Sequence, residues 1–181
     1  MNTLATSLPG VLLVELDEHV DARGRFVETY RASKYAAAGI DARFVQDNFS
    51  TSARGTLRGL HFQAAPHAQG KLVSVSRGEI FDVVVDVQRE SPTFGQWVGT
   101  TLSAENRRQL WIPPGYAHGF YAVSEQADVA YKVTAEYARD AERAVRWDDP
   151  DLAIAWPLDA APLISPKDAR APALRELMRG P

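Results

Sequence analysis

The segment 57–71, LRGLHFQAAPHAQGK, places Arg58, His61, Gln63 and Lys71 close together in the chain. A second group follows in Pro113-Pro114-Gly115-Tyr116-Ala117-His118. A general base, a fixed cation and a second imidazole in one site suit removal of a proton beside a carbonyl, with the resulting negative charge stabilised by the protein. Arg23 and Arg58 each adjoin a glycine in a strand-like setting, so either offers a phosphate contact.

Each of these residues also has an ordinary reading. A lone histidine is usually structural or on the surface, but His61 follows Arg58-Gly59 on a strand-like stretch and shares a strand face with Gln63. Histidine is also the commonest metal ligand. A β-barrel metal site, however, typically needs His-x-His, a downstream Glu and a later His. Here the pattern is His61-Phe62-Gln63, then Lys71, then His118. A glutamine in place of one histidine and a cation nearby both disfavour a divalent ion, so no metal is expected. Lys71 opens an apolar strand and, in isolation, reads as a solvated edge lysine. His118 falls in a proline- and glycine-flanked stretch that reads as a turn. Tyr131 alternates with Val129 and Val133 and reads as a core tyrosine. Asp168, in Ser165-Pro166-Lys167-Asp168, reads as a solvated helix start, although a carboxylate can also orient an imidazole.

The elements that would position these groups are short and β-like. Strands are predicted over residues 11–16, 25–30, 44–52, 72–76, 80–87, 96–102, 109–112, 120–123, 129–134 and 144–147, separated by Gly, Pro, Asn or Asp. The run IFDVVVDV at 80–87 is the strongest, being β-branched, uninterrupted and preceded by a glycine. In it Asp82 shares a face with Val84 and Asp86, opposite Phe81, Val83 and Val85. Helix is confined to about 32–38, ending at Gly39, and to a tail near 171–178. The pattern predicts an all-β protein, a sandwich or barrel, as a single domain over 1–181 with a C-terminal tail from about 165.

Composition narrows the function classes. A chain of 181 residues is enough for one sizeable core. A net charge of −3 lacks the electrostatic footprint of a nucleic-acid binder, so an anionic ligand must be held by local cations. Without cysteine there can be no disulfide, thiolate metal site or cysteine nucleophile. The first residues do not read as a signal peptide, and no apolar run approaches the ~20 residues that span a bilayer. A cytoplasmic protein with no membrane or nucleic-acid partner is the expectation.

Seven segments carry a resemblance to a known family: DARGRFVETY, FVQDNFSTSARGTLRGLHFQ, AQGKLVSVSRGEIFDVVVDV, SPTFGQWVGTTLSAENRRQLWIPPGYAHGF, AYKVTAEY, VRWDDPDLAIAWP and LISPKDARAP. They run in family order from about residue 9 to 172, and the chain closely resembles the dTDP-4-dehydrorhamnose 3,5-epimerases. The resemblance implies a cupin-like jelly roll with short peripheral helices, no cofactor and no metal. It also implies a homodimer in which a strand segment of each subunit reaches into the partner's site. By the same resemblance His61 is the base, Asp168 its partner, Tyr131 the acid on the opposite face, and Lys71 the cation near the enolate oxygen. Arg23, Glu28, Gln46, Asp47, Asn48, Arg58, His118, Glu142 and Lys167 are implied as ligand contacts, with Phe26 near the nucleotide and Tyr137 near the sugar. The implied reaction converts dTDP-4-dehydro-6-deoxy-D-glucose to dTDP-4-dehydro-L-rhamnose by epimerisation at C3 and C5 through enolates. An alternative within the same chemistry is a mono-epimerase acting at one carbon for another deoxysugar nucleotide. A metal-dependent oxygenase is opposed by Gln63, and a non-catalytic sugar-nucleotide binder by the intact set of reactive residues.

Overall fold

Alternation of apolar and polar residues, broken by glycine and proline turns, produces thirteen strands in the computed structural model, which describes residues 1–177. In chain order they are β1 (Asn2–Ala5), β2 (Leu12–Glu15), β3 (Glu18–Asp21), β4 (Gly24–Val27), β5 (Gln46–Ala53), β6 (Leu57–Gln63) and β7 (Lys71–Arg77). There follow β8 (Glu79–Asp86), β9 (Trp97–Ser103), β10 (Arg108–Ile112), β11 (Tyr116–Ala122), β12 (Gln126–Val133) and β13 (Glu142–Ala144). Two short helices, α1 (Ala32–Ala37) and α2 (Leu174–Leu177), lie outside the sheets. Of the helical tail expected over 171–178, Leu174–Leu177 is observed and Met178 lies outside the described residues.

Two antiparallel sheets face each other. One has six strands in the order β1-β2-β10-β7-β12-β5, the other five in the order β13-β6-β11-β8-β9. Between them lies the main core, built from Val73, Val75, Ile80, Val84, Leu110, Ile112, Phe120 and Val129, among others. The outer face of each sheet is partly covered as well. Tyr35 of α1 and Ile40 pack on Leu72 and Trp111 of the six-stranded sheet. Val145, Leu152 and Leu174 pack on Val83 and Val85 of the five-stranded one. Strand β8 is therefore buried on both sides, which explains its unbroken apolar run. The predicted division of its faces holds: Ile80 and Val84 point into the main core, Val83 and Val85 away from it.

The boundaries depart from the sequence reading in instructive places. β1 and β3 were not predicted; β1 is secured by pairing with β2, and β3 by pairing with β4, not by a strong local pattern. The strand expected over 25–30 is shorter and forms the second arm of the exposed β3–β4 hairpin, which pairs with neither large sheet. β11 starts at Tyr116, not near 120, because the turn ends at Gly115 (φ +99°) and the chain is extended from there. β13 precedes the predicted 144–147 and overlaps it only at Ala144.

One close approach fixes β6 against β11. Gly59 has φ +129°, and a Cβ built there would stand 2.5 Å from the Cα of Gly119. A Cβ on Gly119 would in turn meet the Arg58 carbonyl oxygen at 2.7 Å. The pairing of the two strands shifts register here, between His118 and Phe120. Gly59→Ala therefore combines an unfavourable backbone conformation with a backbone clash. Its expected cost is about 2–5 kcal/mol of folding stability, read as a lower denaturation midpoint at unchanged m; an unchanged midpoint would refute the account.

Candidate active site

His61 stands on the inner face of β6, with Leu60 turned outward into the packing beneath the five-stranded sheet. Its Nε2 lies 2.6 Å from Asp168 Oδ1, a partner 107 residues away in sequence. Asp168 opens a 3-10 turn, Asp168–Arg170, and is 4% exposed rather than solvated. Its backbone N–H donates to Ser165 Oγ at 3.0 Å. Burial alone would raise the Asp168 pKa, but the hydrogen bond from His61 and a longer one from Gly59 N–H outweigh it and hold the carboxyl below its ordinary value. With Asp168 ionised, the hydrogen sits on His61 Nε2, and Nδ1 is left as the basic nitrogen. The segment that delivers Asp168 was expected at the periphery. Instead it is stitched to the start of β6: Leu163 N–H donates to Gly55 O at 2.8 Å and Leu57 N–H donates to Leu163 O at 2.9 Å.

The opposing sheet contributes a cation and a phenol. Lys71, first residue of β7, is buried, and its Nζ donates to the His61 carbonyl at 3.2 Å. Loss of hydration lowers its pKa to about 8, against the pull of Asp82 and Glu142, which favour the charged form. Tyr131 on β12 shares the inner face with Lys71 and is half-buried, and burial pushes its pKa up. Lys71 is thus not the solvated edge residue that its sequence position suggests, and Tyr131 lines a cavity as well as packing on the core.

His118 is on β11, not in a turn, directly opposite His61 in the β6–β11 pairing. Its Nε2 meets both oxygens of the fully buried Asp82, at 3.0 and 2.9 Å. The two imidazoles are therefore each held by a buried carboxylate on one sheet face.

These groups share a cavity of about 590 Å³ between the sheets. Its rim carries Arg58, whose Nε donates to Ser52 Oγ at 3.0 Å, and Gln46 with Asn48, joined side chain to side chain at 2.8 Å. On another side Glu142 accepts from Tyr137 Oη at 2.9 Å and pairs with Lys167 at 2.5 Å. Desolvation works to raise the Glu142 pKa, but these two partners outweigh it, and the net shift is downward. Gln63, which the sequence marked only as an unsuitable metal ligand, is a buried tether. Its amide donates to the His67 and Glu136 carbonyls and accepts from Ala138 N–H at 2.7 Å, fixing the loop that carries Tyr137. The one available signal was a glutamine on the same strand face as a candidate base.

Four expected contacts lie elsewhere in this chain. Asp47 is on the opposite face of β5, paired with Lys132 at 2.9 Å. Arg23 sits in the turn of the β3–β4 hairpin, bonded to Asp21. Phe26, on the same hairpin, is 69% exposed. Glu28 faces Arg31 and Lys34 at 3.3 and 3.7 Å.

Comparison with known proteins bears on the whole chain. The family model described as dTDP-4-dehydrorhamnose 3,5-epimerase matches residues 5–176. A protein of that name from Pseudomonas aeruginosa is 51% identical over 177 residues, 97% of each chain. Among solved structures, the dTDP-6-deoxy-D-glucose-3,5-epimerase of Legionella pneumophila, in complex with dTDP-4-keto-L-rhamnose, superposes with a TM-score of 0.93 at 51% identity, covering 96% of this chain and 93% of that one. A 3′-monoepimerase from Streptomyces bikiniensis in complex with dTDP-quinovose gives a TM-score of 0.91 at 38% identity, covering 96% and 88%. The two-sheet sandwich, the full-length family match and the half-identical relatives agree: this chain belongs to the dTDP-4-dehydrorhamnose 3,5-epimerase family.

Proposed function

We propose that this protein is an isomerase that inverts C3 and C5 of dTDP-4-dehydro-6-deoxy-D-glucose, giving dTDP-4-dehydro-L-rhamnose. One observation carries the reading: a His–Asp pair from one sheet faces a buried lysine and a phenol from the other across a single cavity. Both reacting carbons flank the C4 ketone, so one site that stabilises an enolate serves each in turn. His61 Nδ1 takes the proton, and Asp168 holds the imidazolium that forms. Lys71 stabilises the enolate oxygen in a water-poor setting. Tyr131 returns a proton from the other side, and its raised pKa keeps it protonated as a donor. Arg58, Gln46, Asn48, His118, Tyr137, Glu142 and Lys167 hold the nucleotide sugar. No cofactor is required, since the proton inventory balances without redox change. The reading is supported over a single-carbon one by the nearness of the double epimerases, half-identical over nearly the full chain.

Three of the four remaining contacts come from a second copy. Arg23 and Phe26 lie on a hairpin whose side chains protrude from the subunit, with Val20 67% and Phe26 69% exposed. We assign that hairpin, with Glu28 just beyond it, to the partner's cavity in a homodimer. Among the described residues no helix is long and apolar enough to cross a membrane. The proposal places the enzyme in the cytoplasm, acting on a soluble sugar nucleotide with no nucleic-acid or membrane partner.

Turnover in deuterated water tests the chemistry directly. The unsubstituted enzyme should incorporate label at both C3 and C5; label at one carbon only would establish the mono-epimerase instead. His61→Asn should reduce exchange at both carbons by roughly 10²–10⁴-fold while dTDP still binds. Tyr131→Phe should retain His61-dependent exchange at one carbon or more while net inversion falls sharply. Exchange and inversion both surviving at normal rates would remove Tyr131 from the acid role.

The alkaline side of the pH profile reports Lys71. Its charge is present below its pKa of about 8 and is lost as pH rises through it, so kcat should decline from about pH 8 upward. Tyr131, shifted up, cannot account for a loss there. A profile flat to pH 10 would exclude the enolate role of Lys71.

Complementation tests the shared site. Arg23→Ala and His61→Asn should each be impaired alone. Mixed, unfolded and refolded together in equal amounts, they form heterodimers with one intact cavity, and about a quarter of normal activity should return, as expected for a two-fold symmetric dimer. No recovery would place Arg23 outside the partner's site.

A further inference from the structure

Arg107 stands in the turn between β9 and β10 with φ +51°, in the left-handed region that side chains with a Cβ rarely adopt. The turn itself does not call for an arginine. Asn106 closes it, its side-chain oxygen accepting from the Ser103 and Arg108 N–H groups at 3.1 and 3.0 Å. Glycine would meet the backbone demand at lower cost, so the reason for arginine lies where its side chain goes. It reaches the first residue of β3. The buried Nε, which makes no aligned hydrogen bond, lies 2.7 Å from Glu18 Oε1.

Glu18 is the base of the β3–β4 hairpin, which pairs with neither large sheet. The chain leaves the six-stranded sheet at Glu15, which pairs with Arg108 across β2 and β10 and accepts from its guanidinium at 2.9 Å. Arg107, the next residue of the turn, then holds Glu18. On the return strand Arg25 faces Glu18 at 3.6 Å and Glu105, in the same turn as Arg107, at 3.9 Å. One turn thus grips both the exit from the sheet and the base of the hairpin. At about 3.4 Å per residue the hairpin strands are roughly 10 Å long, so a tilt of about 10° at the base moves the tip, with Arg23, by about 2 Å. Displacements of that size are costly in a ligand site. We infer that Arg107 is a positioning residue: through Glu18 it sets the direction in which the hairpin enters the partner's cavity. The role rests on the assignment of that hairpin to the partner, and Arg107 acts through Arg23 and Phe26 without touching substrate.

Arg107→Gly keeps the turn and deletes the grip. In the homodimer it should raise KM for the nucleotide sugar about ten-fold with kcat near normal. Glu18→Gln should do the same, and the two together should cost no more than either alone, because they remove one contact. Melting temperature and dimer mass should be unchanged, since an ion pair about one-third exposed on each side adds little to stability.

The decisive readout is in trans. Refolded in equal amounts with His61→Asn, Arg107→Gly supplies the working cavity and His61→Asn the correctly aimed hairpin. About a quarter of normal activity should therefore return at the unsubstituted KM. An unchanged KM in Arg107→Gly, a raised KM that stays raised in the mixture, or a variant that dissociates into monomers overturns the aiming role. If the parallel mixture of Arg23→Ala with His61→Asn recovers nothing, the shared cavity itself is refuted and this inference with it.

Discussion

Asp168 is a carboxylate held almost wholly out of water, and an ion in that position must find its compensation locally. It finds it in His61, at 2.6 Å, on a strand far away in sequence. That single bond couples the C-terminal segment to the five-stranded sheet. It also fixes which imidazole nitrogen is free and in which direction it points. Supporting contacts keep the segment in place. Leu163 is paired into the turn before β6, and Asp159 is gripped by Arg54 at 2.7 Å and by the Tyr121 hydroxyl at 2.9 Å. Exposed pairs such as Arg54–Asp159 contribute little to stability by themselves. Their effect here is geometric, since they restrict where residues 159–168 can lie.

The other half of the chemistry comes from the facing sheet, and its electrostatics run the opposite way. Among the described residues Lys71 has no carboxylate within hydrogen-bond distance; its Nζ bonds a neutral carbonyl, and its charge is costly in the unliganded site. A developing enolate oxygen would relieve that cost. The site thus pairs a satisfied anion on one side with an under-compensated cation on the other, so that added negative charge is stabilised more strongly than a neutral ketone. An enolate formed beside Lys71, as proposed above, would be stabilised differentially in this way. The effect arises from local placement, in a molecule whose net charge is −3.

Much of the scaffold was legible in the sequence, because period-2 patterning and turn residues are local signals. Strand β8, the central β7 and β12 strands and the first helix follow from them within a residue or two at most ends. Signals that depend on a distant partner were not legible. β1 and β3 exist through pairing, and His118 looked like part of a turn because two prolines and a glycine precede it. Spacing could not connect Asp168 with His61, and the burial of Lys71 was hidden behind its strand-edge position. The family resemblance supplied a set of site residues that spacing could not. Most of that set does converge on one cavity, while Arg23, Phe26, Glu28 and Asp47 lie outside the cavity of their own chain.

β5 shows why function and pattern part company. Along Gln46–Ala53 the inward positions are Gln46, Asn48, Ser50 and Ser52, and the outward ones include Phe49, which is 63% exposed. A hydrophobic-inside rule would turn this strand over, since a shift by one residue exchanges its two faces. The observed register is held by eight consecutive partners on β12, from Gln126↔Ala53 to Val133↔Gln46. It puts polar side chains next to a core of valines because that end of the sandwich is a ligand cavity, not packed interior. A polar inner face leaves the space between the sheets open to water and ligand where Val or Ile would close it. The strand that fits the binary pattern least well is therefore the one that keeps the cavity open.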